Sequence, residues 1–96
     1  MKALITGASS GIGKAVAIEL AQKNIDLVLV ARRQEALEQL KKSLQSYPIH
    51  IDVFPCDLKD EKKCKQLVQQ FSDAQILINN AGFGDAGDCL NTSLEK

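Results

Sequence analysis

Charge of one sign is what this sequence most plainly lacks: 12 Lys and Arg stand against 12 Asp and Glu, for a formal net charge of +0. Without a basic excess there is no stripe to track a nucleic-acid backbone or an anionic bilayer. Lys62, Lys63 and Lys65 alternate with acids and glutamines, as on a solvated helix face. Long apolar runs are missing too. No stretch approaches the roughly 20 residues that cross a bilayer, and the N-terminus enters a strand-like segment without the basic region and apolar core of a secretory signal. Cysteine is sparse: Cys56, Cys64 and Cys89 are odd in number and have no CxxC spacing, which favours reduced thiols over disulfides or a zinc site. The single histidine, His50, lies in an alternating run and reads as a strand residue facing solvent rather than a ligand or base. The expectations are a cytoplasmic protein with no nucleic-acid partner, no membrane partner and no metal.

What is present is the composition of a soluble globular domain. The 96 residues are 45% hydrophobic and 25% charged, with no room for two cores, so residues 1–96 form one domain or part of one. The densest signal is Thr6-Gly7-Ala8-Ser9-Ser10-Gly11-Ile12-Gly13, set between the apolar run Ala3-Leu4-Ile5 and an amphipathic stretch that begins at Lys14. A strand that turns abruptly into a helix offers free amide N–H groups and a positive dipole end, which suit a diphosphate. Gly7 can take the tight turn, Gly11 lets a diphosphate approach without a Cβ in the way, and Gly13 lets helix and strand pack closely. A GxGxxG fingerprint beginning at Gly11 would need a small residue where Val16 stands. A P-loop would need glycine in place of Ala8 and a hydroxyl in place of Ala15. The spacing that remains is TGxxxGxG.

Periodicity predicts strands over residues 2–6, 26–31, 49–54 and 75–79, and helices over 11–23, 34–45 and 60–71. Leu37, Leu40 and Leu44 recur at helix spacing, as do Cys64, Leu67, Val68 and Phe71, and Tyr47-Pro48 ends the second helix because the residue before proline avoids helical angles. Continuously apolar strands separated by helices imply an α/β fold, a Rossmann-type doubly wound parallel sheet covered on both faces. Right-handed crossovers give the strand order third, second, first, fourth. The ligand site then lies at the carboxyl ends of the first and fourth strands, where the order reverses; the Gly-rich turn and Asn79-Asn80-Ala81-Gly82 both fall there.

These segments together resemble the short-chain dehydrogenase/reductase family, over essentially the whole chain. The glycine spacing matches the family's nicotinamide-dinucleotide turn, and Asn79-Asn80-Ala81-Gly82 matches its NNAG turn after the fourth strand. Asp57-Leu58 matches the Asp that meets the adenine ring, with the neighbouring backbone beside it. The resemblance implies that Asn80, Ala81 and Gly82 line the adenosine ribose. It also implies a small-molecule alcohol or carbonyl substrate and, in many members, self-association through later helices. An epimerase-like extended member is disfavoured, because Ser10 stands where the second glycine of TGxxGxxG would be.

Charge argues for NADP over NAD. An NAD site wants an acid at the end of the second strand, and Ala31 stands there, followed by Arg32 and Arg33. A guanidinium suits a 2′-phosphate and gains little from a neutral hydroxyl. Arg32 sits where the family carries this arginine, while Arg33 reads equally well as a surface charge opening the second helix. Ser9 and Ser10 could donate to the phosphates as well, and the backbone at Ile12 belongs to the same turn.

Members of the family use a YxxxK motif, a preceding serine and an asparagine on the fourth helix. None can be placed in this sequence. The only tyrosine, Tyr47, precedes Pro48 and has Ile51 four positions on. Thr92-Ser93-Leu94-Glu95 reads as a capping box that announces another helix. The expectation is the cofactor-binding portion of a longer NADP-dependent oxidoreductase, inactive alone. The alternative is a non-catalytic nucleotide-binding or interaction module that completes its sheet with a partner strand.

Overall fold

The computed structural model describes residues 1–57 and 59–80. Four strands alternate with three helices in the order β1 (Lys2–Thr6), α1 (Gly11–Gln22), β2 (Asp26–Ala31), α2 (Gln34–Ser43), β3 (Ile51–Pro55), α3 (Glu61–Gln70), β4 (Ile76–Asn79). The strands form one parallel sheet in the order β3-β2-β1-β4, as right-handed crossovers require. The Rossmann-type arrangement expected from the sequence is the one observed.

Burial on both faces explains why Ala3–Ile5 of β1 and Leu27–Ala31 of β2 are apolar without a break. Ala3, Ile5, Leu27 and Leu29 point to one face and pack with Ala17 and Ala21 of α1 and with Leu37, Leu40 and Leu44. Leu4, Val28 and Val30 point to the other and pack with Cys64, Leu67 and Phe71. Each fully buried Leu or Val contributes about 1.5–3 kcal/mol from removal of apolar surface. Small residues on the inner stripe of α1 let it lie close to the sheet.

Three element ends are set by identifiable contacts. Helix α1 closes with Asn24 N–H on the Ala21 carbonyl (3.0 Å) and Ile25 N–H on that of Leu20 (3.1 Å). Asn24 takes a left-handed φ of 61° that permits this pair, and the chain re-enters the sheet at once. Helix α2 stops at Ser43 rather than running to residue 45, because Gln45 and Tyr47 N–H turn to the carbonyls of Lys42 and Leu44 in tight, three-residue steps. Strand β3 begins at Ile51 rather than residue 49. Ile49 N–H closes a turn on the Tyr47 carbonyl (2.8 Å), and His50 N–H goes to the Asp26 carboxylate (2.9 Å) instead of a neighbouring strand. His50 is exposed, as expected, but precedes the strand.

The amino-terminal rim of the sheet carries a clamp. Lys2 N–H donates to Gln75 Oε1 (2.9 Å) and Gln75 N–H returns to the Lys2 carbonyl (2.9 Å), which fixes the register of β1 against β4. The Lys2 ammonium pairs with Asp73 at 2.9 Å and lies 5.8 Å from the Phe71 ring centroid. The shared hydrogen bond holds the Lys2 pKa above and the Asp73 pKa below their ordinary values.

Candidate functional site

All four strands end at the same rim, and the candidate residues described here gather there: Gly7, Arg32 and Asn80 come directly after β1, β2 and β4, Asp57 stands two residues beyond β3, and Gly11 and Gly13 open α1. Thr6 is in register with Val30 on one side and Asn79 on the other, and Ala31 pairs with Pro55, so the segments after β1, β2, β3 and β4 leave the sheet side by side.

The loop after β1 is held from within. Gly7 adopts φ 65°, a conformation that costs a residue with a Cβ about 1–2 kcal/mol. Ala8 N–H bonds the Val30 carbonyl (3.1 Å), anchoring the loop to β2. Ser10 is the N-cap of α1: its Oγ accepts from Gly13 N–H (3.1 Å) and its carbonyl from Lys14 N–H (2.8 Å). A Cβ at Gly13 would stand 2.9 Å from Ala8 Cα and closer still to the Gly7 carbonyl oxygen, so this glycine is required by close packing. At Gly11 no atom of the described residues lies within 4 Å of such a Cβ. The N–H groups of Ser9, Gly11 and Ile12 have no acceptor among the described residues, and Ile12 is exposed beside them. That leaves an open cradle with free donors at a helix start, the arrangement that binds a diphosphate.

Arg32 and Arg33 follow β2. Both are exposed, and neither side chain makes a hydrogen bond or ion pair with a described residue. Arg33 is the N-cap of α2 and provides no side-chain cap. A cation at a helix N-terminus opposes the macrodipole. By contrast α3 starts conventionally, with the Asp60 carboxylate accepting from Lys62 and Lys63 N–H at 3.1 and 3.3 Å.

Asp57 follows β3 and is exposed; its Oδ1 accepts from Lys59 N–H (3.0 Å), which fixes the carboxylate beside the strand end. Its neighbour Cys56 is buried, and its N–H bonds the Ala31 carbonyl (2.9 Å). Burial, reinforced by Asp57, pushes the Cys56 thiol up to about 11. The sign follows directly. Below the ordinary thiol value of 9.0 both folded and unfolded chains keep the proton, whereas between 9.0 and about 11 only the folded chain does, so stability falls as pH rises through that window. Denaturant titrations at pH 8, 9, 10 and 11 are expected to show this decline in the wild type and a shallower one in Cys56→Ala; equal slopes would assign the decline to other groups.

Asn80 closes the site after β4. Its N–H donates to Thr6 Oγ1 (3.0 Å), and its Nδ2 donates to Ser10 Oγ (2.8 Å) and to the Gly7 carbonyl (3.4 Å). Thr6, fully buried, also donates to the Ile78 carbonyl (3.4 Å). Thr6 opens the TGxxxGxG spacing but has no role of its own in the sequence reading; a hydroxyl at the end of the apolar run Ala3-Leu4-Ile5 was the available signal. Leu58, Ala81 and Gly82 lie outside the described residues, as does the segment from Phe83 through the Thr92 capping box. No group of three or more His, Cys, Asp or Glu able to hold a metal occurs among the described residues. No helix among them is long and apolar enough to cross a membrane.

A parallel sheet with a Gly-rich cradle at its switch point defines the class of doubly wound nucleotide-binding folds. The sequence matches the family model "short chain dehydrogenase" over residues 1–96, and the chain belongs to that oxidoreductase family. It is 45% identical over 84 residues to a fatty acyl-CoA reductase of Acinetobacter baylyi, covering 83% of this chain and 28% of that protein. It is 42% identical over 85 residues to an NADP-dependent 3-hydroxy acid dehydrogenase of Schizosaccharomyces pombe, covering 82% and 33%. The chain thus spans about a third or less of these relatives. Among solved structures it is similar to L-sorbose reductase of Gluconobacter frateurii, determined with NADPH and L-sorbose, at a TM-score of 0.86 and 28% identity, covering 97% of this chain and 45% of that one.

Proposed function

We propose that this chain forms the adenosine- and phosphate-binding half of an NADP-dependent oxidoreductase that interconverts an alcohol and a carbonyl. The observation that carries the choice of NADP is the pair Arg32 and Arg33. Two cations with no partner among the described residues crowd the positive end of α2, where a helix start ordinarily takes Ser, Asp or Asn, and Ala31 stands where an NAD site would place an acid. Such a local conflict is resolved when a dianion sits between them. The relatives support the same reading: the S. pombe protein is named for NADP, and the G. frateurii reductase was solved with NADPH.

Each segment of the rim then has a task. The free N–H groups of Gly11 and Ile12, with Ser9, hold the diphosphate, and the open space at Gly11 admits it. Arg32 takes the 2′-phosphate, with Arg33 adding positive potential. Asp57, and the segment through Leu58, meets the adenine, and Asn80 with Ala81 and Gly82 borders the ribose. The bound nicotinamide supplies hydride transfer. The described residues bind and orient it, and none of them is assigned a proton-transfer step.

Calorimetric titration of the chain with NADPH, and separately with NADH, tests the reading. Binding of NADPH at least tenfold tighter than NADH is expected. Equal affinities would remove the assignment to NADP, and a folded chain that binds neither would favour the interaction-module alternative.

A further inference from the structure

The Ser10 hydroxyl has a complete set of partners. It holds one proton and two lone pairs. The proton goes to the Gly7 carbonyl at 2.9 Å, and the lone pairs receive Gly13 N–H at 3.1 Å and Asn80 Nδ2 at 2.8 Å. Nothing is left for a phosphate unless one of these bonds breaks. The Gly7 carbonyl is a second meeting point, receiving Ser10 N–H at 3.1 Å, Ser10 Oγ at 2.9 Å and Asn80 Nδ2 at 3.4 Å. Chemistry alone fixes the orientation of the Asn80 carboxamide. The Gly7 carbonyl can only accept, and Ser10 has already spent its proton, so the NH2 group must face both.

We propose that Asn80 is a positioning residue that acts through Ser10: from the end of β4 it holds the turn of residues 7–13 in the shape that leaves the N–H groups of Gly11 and Ile12 free, and neither Asn80 Nδ2 nor Ser10 Oγ is itself a phosphate ligand. The anchoring is two-sided, because Asn80 N–H is tied to Thr6 Oγ1 at the foot of the same turn. The end of β4 and the phosphate turn therefore move as one unit. The consequence for ligand binding rests on the dinucleotide reading above; the clasp itself does not.

The test separates the two. Amide hydrogen exchange of the whole chain without ligand compares wild type, Asn80→Ala, Ser10→Ala and Ser10→Thr. Exchange at the N–H groups of Ser10 and Gly13 is expected to quicken about tenfold in Asn80→Ala, although Asn80 bonds neither, and similarly in Ser10→Ala. Ser10→Thr keeps the hydroxyl and should keep the protection. Unchanged exchange at Gly13 in Asn80→Ala would overturn the proposal, as would an acceleration spread equally over the β2 amides, which would mean general destabilisation. NADPH titration of the same set, with the double variant added, is expected to show a loss of about tenfold in each alanine variant and no further loss in the double. Losses that multiply would make Ser10 and Asn80 independent ligands and overturn the hub. If the wild type binds no NADPH, the dinucleotide reading fails and the exchange pattern still decides the clasp.

Discussion

Gly13→Ala is expected to destabilise the chain by about 1–2 kcal/mol and to weaken NADPH binding by more than tenfold. Two effects oppose each other. Alanine in place of glycine in a helix is ordinarily worth about 1 kcal/mol of added stability. Here the new methyl would stand 2.9 Å from Ala8 Cα and 3.0 Å from the Gly7 carbonyl carbon, both backbone atoms that cannot rotate away. Overpacking against a rigid neighbour costs about 1–3 kcal/mol or more, so the clash wins. The only relief is for α1 to shift away from the turn, which displaces the free amides of Gly11 and Ile12. Gly11→Ala is the matching control. Its methyl meets nothing within 4 Å among the described residues, so stability should hold or rise while NADPH affinity falls, since the same space is where a diphosphate would approach. Urea unfolding and calorimetry on both variants give four numbers. A Gly11→Ala chain that binds NADPH as tightly as the wild type would place the diphosphate elsewhere.

Arg32→Glu is expected to reverse the cofactor preference. One charge-assisted hydrogen bond contributes roughly 1.5–3 kcal/mol, or about 10–150-fold in affinity. Arg32→Ala should therefore weaken NADPH by that factor and leave NADH nearly unchanged. Glutamate goes further: it opposes the 2′-phosphate and offers an acceptor to the ribose hydroxyls of NADH. Stability should change little, because Arg32 is exposed and has no partner among the described residues to lose. A modest gain is expected from replacing a cation near the start of α2 by an anion. Equal losses for both dinucleotides in Arg32→Ala would sink the assignment.

The architecture was legible because burial on both faces leaves so strong an imprint on β1 and β2. Four consecutive buried residues, Leu27 to Val30, are compatible with little else than a strand inside a covered parallel sheet. The ends were less legible, for a reason visible at Ile49 and His50. Their apolar–polar alternation continues that of β3, yet Pro48 and the side chain of Asp26 take their backbone into a turn. The glycine spacing announced the cradle, but composition alone does not reveal which hydroxyl is free. Ser9 and Ser10 look alike in the sequence. One of them is consumed by two local bonds within the turn and by a third to Asn80, 70 positions away, which no local pattern encodes.

The clamp of Lys2 with Asp73 and Gln75 lies at one rim of the sheet, and every residue proposed to touch the dinucleotide lies at the other. Sequence drift at the two rims therefore has separate consequences. Substitutions after β2 or β3 can retune what is bound without disturbing the contacts that align β1 with β4, so this scaffold can explore new ligand preferences along a path on which every intermediate still folds.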